Sequence, residues 1–518
     1  MLTRFSSRWS SNSWNSLIRW LLILITATVA VRGWHHFRTS LVPGMDAAYY
    51  LIQARALLTT GRPRFADLPL VSWIQAGLAW LLAHGGGMAV NQAIVLAVKL
   101  EDTLLPPLVA IPMGLLGWRW ARAAGPSLQA ALLPATIACL SAPMMRMVGD
   151  FQKNALALVW LALLIWSMHG LIRKPGLRSA ALPIFSLILC GLTHIGVFGA
   201  ALVFTGLIMV CSIPSLPRKD LGQLLAFCLL GLALVATVTL ILIQTSNTAK
   251  FTALAGPIRA LASRLGGGSA GGRQRPIAIL PAIPALVLAI ITAKVIWKRR
   301  AVLPVQDRVL ALVSALSPVL FVIFDQNYAP GRLLLIAVIP ATVALSFLLA
   351  NLEQPRWHAR LGNGLLALAI LSGLVAPVQG PVIDEAESTE LQSLAEYISP
   401  DKRTLVVAEH GLEYWVGWIL DTNSIQPIGI QNKLWEPYSQ VLYLERKEDV
   451  EPFGPDSGPP PRGPRRRRPP GPRRPDEPER PKLPSNAPLL HDGPAFKLWR
   501  YPIPVASLWG RTRREELG

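Results

Sequence analysis

Long apolar runs, each closed by a short polar or basic stretch, dominate this chain from residue 17 to about 379. Trp20–Val31 and Ala155–Trp166 are two of them. A helix that crosses the hydrocarbon layer needs about 20 predominantly apolar residues. On that measure the runs predict spans over 17–34, 69–84, 88–101, 104–121, 127–144, 154–172, 180–192, 196–213, 221–243, 277–297, 308–324, 332–350 and 363–379. The expected fold class is an α-helical polytopic membrane protein with about thirteen transmembrane helices. From residue 380 the pattern changes. Glu385–Ile398 reads as an amphipathic helix, Thr404–Ala408 as a short strand and Leu412–Leu420 as a helix. Gln440–Leu444 and Phe496–Tyr501 read as further strands, which gives a small α/β domain. The expected division is a transmembrane domain over 1–379 and an extracytoplasmic α/β domain over 380–518. Within the latter, 454–484 is rich in Pro and Arg, cannot build a core and is expected to be disordered or polyproline-like.

Basic residues in short loops mark the cytoplasmic side. They occur at Arg356/Arg360, Lys298–Arg300, Arg218/Lys219, Arg173/Lys174/Arg178, Arg119/Arg122 and the N-terminus. Each adjacent pair from Arg119 onward leaves room for two crossings, so the intervening turns face out. The N-terminus is then cytoplasmic and the C-terminal domain lies outside. Parity over 69–121 requires an odd number of crossings, read here as three short ones.

Composition supports this picture and removes others. Only 15% of residues are charged and 52% are hydrophobic, against roughly a quarter charged in soluble domains. The net charge of +20 sits largely in the Pro/Arg tract and the short loops, so no nucleic-acid partner is expected. The basic, Ser-rich lead before the first run has no small-residue cleavage site after it, and an uncleaved first helix is expected. Cys139, Cys190, Cys211 and Cys228 lie in apolar runs without zinc-ligand spacing.

The topology gathers polar residues at one membrane face. Asp46, Asp67, Glu101, Asp102, Asp150, His194, Asp325, Tyr328 and Arg332 all fall on the outer side. Carboxylates at helix ends avoid the cost of about 2.5–3.5 kcal/mol for burial at the bilayer centre. Asp46 precedes a helical pattern that stops at Thr60-Gly61, where it can serve simply as an N-cap. Gly149-Asp150-Phe151-Gln152-Lys153-Asn154 stands at the mouth of the sixth predicted span, again with an N-cap reading available. Leu192-Thr193-His194 lies between two short spans, where a lone His is more often a structural turn residue. Glu409 and His410 follow a strand end in the C-terminal domain. The glycine-rich stretch 266–273 lacks the Lys-Ser/Thr of a phosphate loop and reads as a flap.

Asp46 with Tyr49-Tyr50, followed by Asp67-Leu68-Pro69-Leu70 leading into a span, resembles the start of the GT-C glycosyltransferases. The resemblance is strongest to the protein mannosyltransferase and aminoarabinose transferase branch. Gly149-Asp150 looks like a second outer acidic site of that family, and Leu192-Thr193-His194 and Gly331-Arg332-Leu333 resemble recurrent features. The resemblance implies a polytopic enzyme that uses a sugar carried on a polyprenyl phosphate. Two departures stand out. Ala47 follows Asp46 where the family often has Glu, and Asp67-Leu68-Pro69-Leu70 stands where the aminoarabinose branch has Lys-Pro-Pro-Leu.

Transfer of such a sugar needs a base for the acceptor proton and cations for the departing phosphate. Asp46 is the expected base, and Asp150 is expected either to orient the acceptor or to share a divalent metal. Arg332 is the expected phosphate ligand, followed by His194 and Lys153, with Arg64 or Lys99 standing in for the missing Lys and Tyr50 lining the donor site. No cofactor is required by the sequence. The expected partners are a polyprenyl-phosphate sugar, a glycan, lipid or protein acceptor, and membrane lipids, in a bacterial inner or plasma membrane. Two other classes fit the span count: a transporter or lipid flippase, and a non-catalytic scaffold. A transporter would place ionisable residues at mid-membrane and show inverted repeats, and neither is visible. A scaffold would not need acids on two outer loops.

Overall fold

Backbone amides in hydrocarbon have no water to bond, so a chain that crosses a membrane satisfies them within its own helices. The computed structural model describes residues 11–124, 128–245, 282–328, 332–351, 355–398, 403–431, 434–447 and 487–502. Its first part is helical throughout: α1 Ser11–Phe37, α2 Ala47–Thr60, α3 Leu70–Gly86, α4 Val90–Leu104, α5 Ala110–Ala124, α6 Leu128–Leu140, α7 Ala142–Met145 and α8 Gln152–Arg173. There follow α9 Leu177–Thr193, α10 Ile195–Ser212, α11 Arg218–Thr245, α12 Ile283–Lys298, α13 Val305–Tyr328, α14 Arg332–Ala350 and α15 Pro355–Leu374. Among the described residues seven helices are long and apolar enough to cross a membrane, and α9 and the end of α15 are shorter apolar helices. The protein is an integral, multi-pass membrane protein. The loop at 244–276 and the tract at 454–484 lie almost wholly or wholly outside the described residues.

One stretch differs from the sequence reading. Separate spans were expected at 88–101 and 104–121. The backbone instead keeps right-handed helical dihedrals across the junction, with φ −81° and ψ −44° at Leu105 and φ −57° and ψ −34° at Ala110. A 3-10 turn, Pro106–Val109, carries α4 into α5, and the Leu105 amide donates to the Glu101 carbonyl at 3.0 Å. Pro106 and Pro107 remove two backbone donors at this junction. Residues 102–103, expected to separate two spans, are thus part of α4.

Two compact units divide the chain. The first takes residues 1–35, 65–77 and 99–377, and the second takes 36–64, 78–98 and 378–518. Residues 36–64, most of the segment between the first and second predicted spans, thus group with the C-terminal part.

In the first unit the most extensive packing pairs α5 with α6, α8 with α9 and α13 with α14. Small residues allow the close approaches, as van der Waals packing in lipid requires. A methyl group added at Gly117 would stand 2.6 Å from the carbonyl oxygen of Ala131, and one at Gly373 would overlap the carbonyl oxygen of Leu140. A buried polar knot joins α5, α8 and α13: Arg119 donates to His169 Nδ1 at 2.7 Å, and His169 Nε2 donates to Asp307 Oδ1 at 2.9 Å.

The second unit is built on a five-stranded sheet with β1 Thr404–Val407, β2 Asn423–Ile425, β3 Gln440–Arg446, β4 Leu489–Asp492 and β5 Phe496–Arg500. Its order is β2-β1-β3-β5-β4. β1 pairs in parallel with β2 and β3, and β5 runs antiparallel to β3 and β4. Leu405, Val407, Ile430 and Val441 form a core cluster. Three helices complete it: α16 Glu385–Ser393, α17 Leu412–Ile419 and α18 Ile428–Gln431. α16 starts with a capping box in which Asp384 accepts from the Glu387 amide and Glu387 accepts from the Asp384 amide. α2 packs against α17 through buried residues of both, including Leu51 and Trp415. It ends as its sequence predicts, with Gly61 in the left-handed region at φ 69°.

The backbone contact at Gly373 gives a direct test. Gly373→Val forces α15 away from Leu140, and overpacking of this kind costs about 1–3 kcal/mol or more. The expected result is a lower melting temperature in detergent by fluorescence-detected size exclusion, with Gly364→Val, at an open position, changing it little.

Candidate functional site

In the first unit, the segment Gly149–Lys153 is tied down along its length. Arg32, from α1, donates through Nε to the carbonyl of Asp102 at 2.7 Å and through Nη2 to Asp102 Oδ1 at 2.5 Å. The other oxygen of Asp102 accepts the Gly149 amide at 2.8 Å. Gln152 donates to the Gly149 carbonyl at 3.2 Å and accepts from Gln75 Nε2 at 2.8 Å. The same Gln75 nitrogen lies 3.1 Å from Glu101 Oε2. Lys153 closes the series with an ion pair to Asp67. Gly149 adopts φ 79°, a conformation that L side chains resist. Asp150 sits in the middle of this segment, buried, and does not cap α8, whose N-cap position belongs to Phe151. The acids Asp67, Glu101, Asp102 and Asp150, separate in sequence, thus belong to one connected set of loop and helix ends.

In the second unit, Asp46 holds the N-cap position of α2, but its side chain makes no capping hydrogen bond. About a third of it remains exposed, and Oδ1 stands 3.9 Å from His410 Nε2. His410 Nδ1 lies 3.3 Å from Glu413 Oε1 and 2.8 Å from Gln426 Nε2. Gln426 Nε2 also donates to Glu413 at 2.8 Å. Tyr49 makes edge-on contacts with Tyr50 and Tyr414 at 5.4 and 5.5 Å between ring centres, and its hydroxyl accepts from Gln53. Arg55 donates to the carbonyls of Gly417 and Trp418, both at 2.8 Å, and its guanidinium lies over the Trp418 ring. Burial lowers the Arg55 pKa, and Asp421 opposes that shift.

The other expected residues fall as follows. Tyr50 is buried within this aromatic group. Arg64 donates to the side chain of Asn423. Lys99 is buried within α4. His194 is the N-cap of α10 and accepts from the Val197 amide through Nδ1 at 3.2 Å, which realises the structural reading of that turn. Arg332 opens α14, and its side chain lies outside the described residues, as do those of Asp325 and Tyr328. Asp46, Tyr50 and Arg64 belong to the second unit, whereas Asp150, Lys153, Lys99, His194 and Arg332 belong to the first. Among the described residues no group of three His, Cys, Asp or Glu gathers as a metal site.

Sequence reasoning missed Arg32 and the two glutamines, because a membrane Arg is legible as functional only once its partner is known. His410 carried a signal. It lies just past the carboxyl end of β1, which has parallel neighbours on both sides, and such strand ends are where ligand sites form in parallel sheets.

No family model matches the sequence, and no curated protein matches it. Solved structures do. The oligosaccharyltransferase of Archaeoglobus fulgidus, determined with zinc and sulfate, matches with a TM-score of 0.52 and 12% identity over 81% of this chain and 67% of that one. The mycobacterial arabinofuranosyltransferase AftD matches with a TM-score of 0.50 and 14% identity over 82% of this chain. This chain spans only 35% of AftD. ArnT from Cupriavidus metallidurans, in its apo state, matches with a TM-score of 0.49 and 14% identity over 93% of this chain and 98% of ArnT. The chain therefore shares its fold with the Archaeoglobus fulgidus oligosaccharyltransferase and with AftD.

The Arg32–Asp102 pair is the feature most exposed to test. Removing one partner of a buried ion pair costs about 3–5 kcal/mol, because the other charge is left uncompensated. Asp102→Leu is expected to lower thermal stability sharply, and Arg32→Met combined with Asp102→Leu is expected to recover much of the loss. Melting curves of the two single variants and the double variant measure the coupling.

Proposed function

We propose that this protein transfers a sugar from a polyprenyl-phosphate carrier to an acceptor hydroxyl at the extracytoplasmic face of the membrane. The observation that carries the reading is Asp46. A carboxylate at a helix start is ordinarily explained by capping, and this one makes no cap bond and keeps about a third of its side chain exposed. The shared fold supports the same reading, since the matched structures include an oligosaccharyltransferase and an arabinofuranosyltransferase.

In the proposed reaction Asp46 accepts the proton of the acceptor hydroxyl. The acceptor oxygen bonds to the anomeric carbon, the bond from that carbon to the phosphate oxygen breaks, and the electron pair leaves with the polyprenyl phosphate. Asp150 orients the acceptor, held by the Asp102, Gln152 and Lys153 contacts on its own segment. Arg332 meets the phosphate, for which a planar guanidinium is well matched. Lys153 serves the same phosphate only by exchanging its pair with Asp67. The carrier's apolar tail stays in lipid, so the membrane itself concentrates the donor. The basic loops 119–122, 173–178, 218–219, 298–300 and 356–360 place the N-terminus in the cytoplasm on this reading, and a bacterial inner membrane fits the carrier.

The test uses full-length protein in nanodiscs with undecaprenyl-phosphate-linked mannose, glucose and arabinofuranose, each offered with a hydroxyl acceptor panel. Release of undecaprenyl phosphate by mass spectrometry is expected for at least one donor. In a folded Asp46→Asn variant, release is expected to fall by about 100-fold or more, the range typical for loss of a general base. Equal release by the two proteins would exclude Asp46 as the base.

A further inference from the structure

Asp46 has an unannounced neighbour 364 residues later in sequence, if counted from Asp46 to His410. His410 is brought to it because α2 packs on α17, which begins two residues after His410. Gly411 makes that turn in the left-handed region, at φ 89°. Asp46 and Tyr49 from α2, Glu413 and Tyr414 from α17, and Gln426 from beyond β2 surround the ring, with Glu409 adjacent in the chain. Gln426 Nε2 donates to His410 Nδ1 at 2.8 Å. A ring nitrogen that accepts carries no proton, so the neutral ring holds its proton on Nε2, the nitrogen that faces Asp46. Glu413 Oε1, 3.3 Å from Nδ1, is placed to accept when the ring takes a second proton. Glu413 is itself buried and held by Gln426. The ring is thus set between two carboxylates, one fixed and buried, the other partly open to solvent.

We infer that His410 is a positioning residue for Asp46: its Nε2–H, oriented by Gln426, keeps the Asp46 carboxylate ionised and aimed at the acceptor proton. This rests on Asp46 being the base of the proposed transfer. The sign of the effect follows from charge. A hydrogen-bond donor or a cation near a carboxylate favours its ionised form. Without His410, Asp46 takes up its proton at higher pH, and a base that must be ionised loses activity sooner as the medium is acidified. A residue that served only to hold the fold would lower activity or stability without moving that limb.

Two readouts test this on the full chain in nanodiscs, with melting curves to confirm that each variant is folded. The first is kcat/KM against pH for the undecaprenyl-phosphate donor that the protein turns over. His410→Ala is expected to lower kcat by about tenfold or more with little change in KM, and to move the acidic limb to higher pH. His410→Gln, whose amide can still donate, is expected to recover part of kcat. The second readout needs no turnover: deuterium exchange at the imidazole C2 position, followed by mass spectrometry, gives the titration midpoint of His410 itself. Asp46→Asn and Glu413→Gln are each expected to lower that midpoint, since each removes a negative charge beside the ring. An unmoved acidic limb in His410→Ala, or a His410 midpoint unchanged by Asp46→Asn, would overturn the inference. If no donor is turned over, the transferase reading fails by itself, and the exchange measurement still decides whether His410 and Asp46 are coupled.

Discussion

The ion pair between Arg32 and Asp102 is the contact on which the first unit's polar region depends. Both side chains are almost wholly buried. Charges so placed persist only when each has a close partner and its remaining hydrogen-bonding capacity is used. Asp102 meets that condition with both oxygens, one on Arg32 and one on the Gly149 amide. The pair therefore fastens α1 to the end of α4 and, through Gly149, to the loop that carries Asp150. Gln75 and Gln152 extend the same logic: neutral amides bridge buried carboxyl and carbonyl oxygens, so the segment is held without adding charge.

The second unit solves a different problem. A helix that leaves a membrane span with half its surface apolar must cover that surface. α2 does so against α17, and the aromatic group of Tyr49, Tyr50 and Tyr414 fills the contact. Arg55 strengthens it by donating to two carbonyls at the end of α17, where the helix leaves acceptors unsatisfied. One consequence is chemical. The start of α2 and the turn before α17 are brought together by this packing, and these carry Asp46 and His410. The fold brings an acid and an imidazole together through an interface filled mainly by aromatic side chains.

Much of this was legible in the sequence because membrane helices announce themselves by length and apolarity. The runs at 127–144, 154–172, 196–213 and 332–350 appear as α6 with α7, α8, α10 and α14 with shifts of a few residues. The strands at 404–407, 440–446 and 496–500 were legible from their short apolar runs. β2 and β4 were not, since Asn423–Ile425 and Leu489–Asp492 are short, partly polar and given strand form by their neighbours. The expected spans 88–101 and 104–121 leave a break at 102–103, whereas α4 runs through those residues to Leu104 and into the 3-10 turn Pro106–Val109. At the candidate site, Asp46 and Asp150 were picked out by residue type and position. The contacts around their segments were not: Asp102, which accepts from the Gly149 amide, precedes it by 47 positions, Arg32 precedes Asp102 by 70, and His410 follows Asp46 by 364. No local pattern encodes contacts at that range.

The central claim is that the chain recognises a lipid carrier through its phosphate. Native mass spectrometry of the full-length protein, titrated in parallel with undecaprenyl phosphate and with undecaprenol, tests it most directly. The account expects retention of one undecaprenyl phosphate per chain, little retention of undecaprenol, and loss of the difference in Arg332→Ala. Equal retention of the two lipids by the unaltered protein would contradict it.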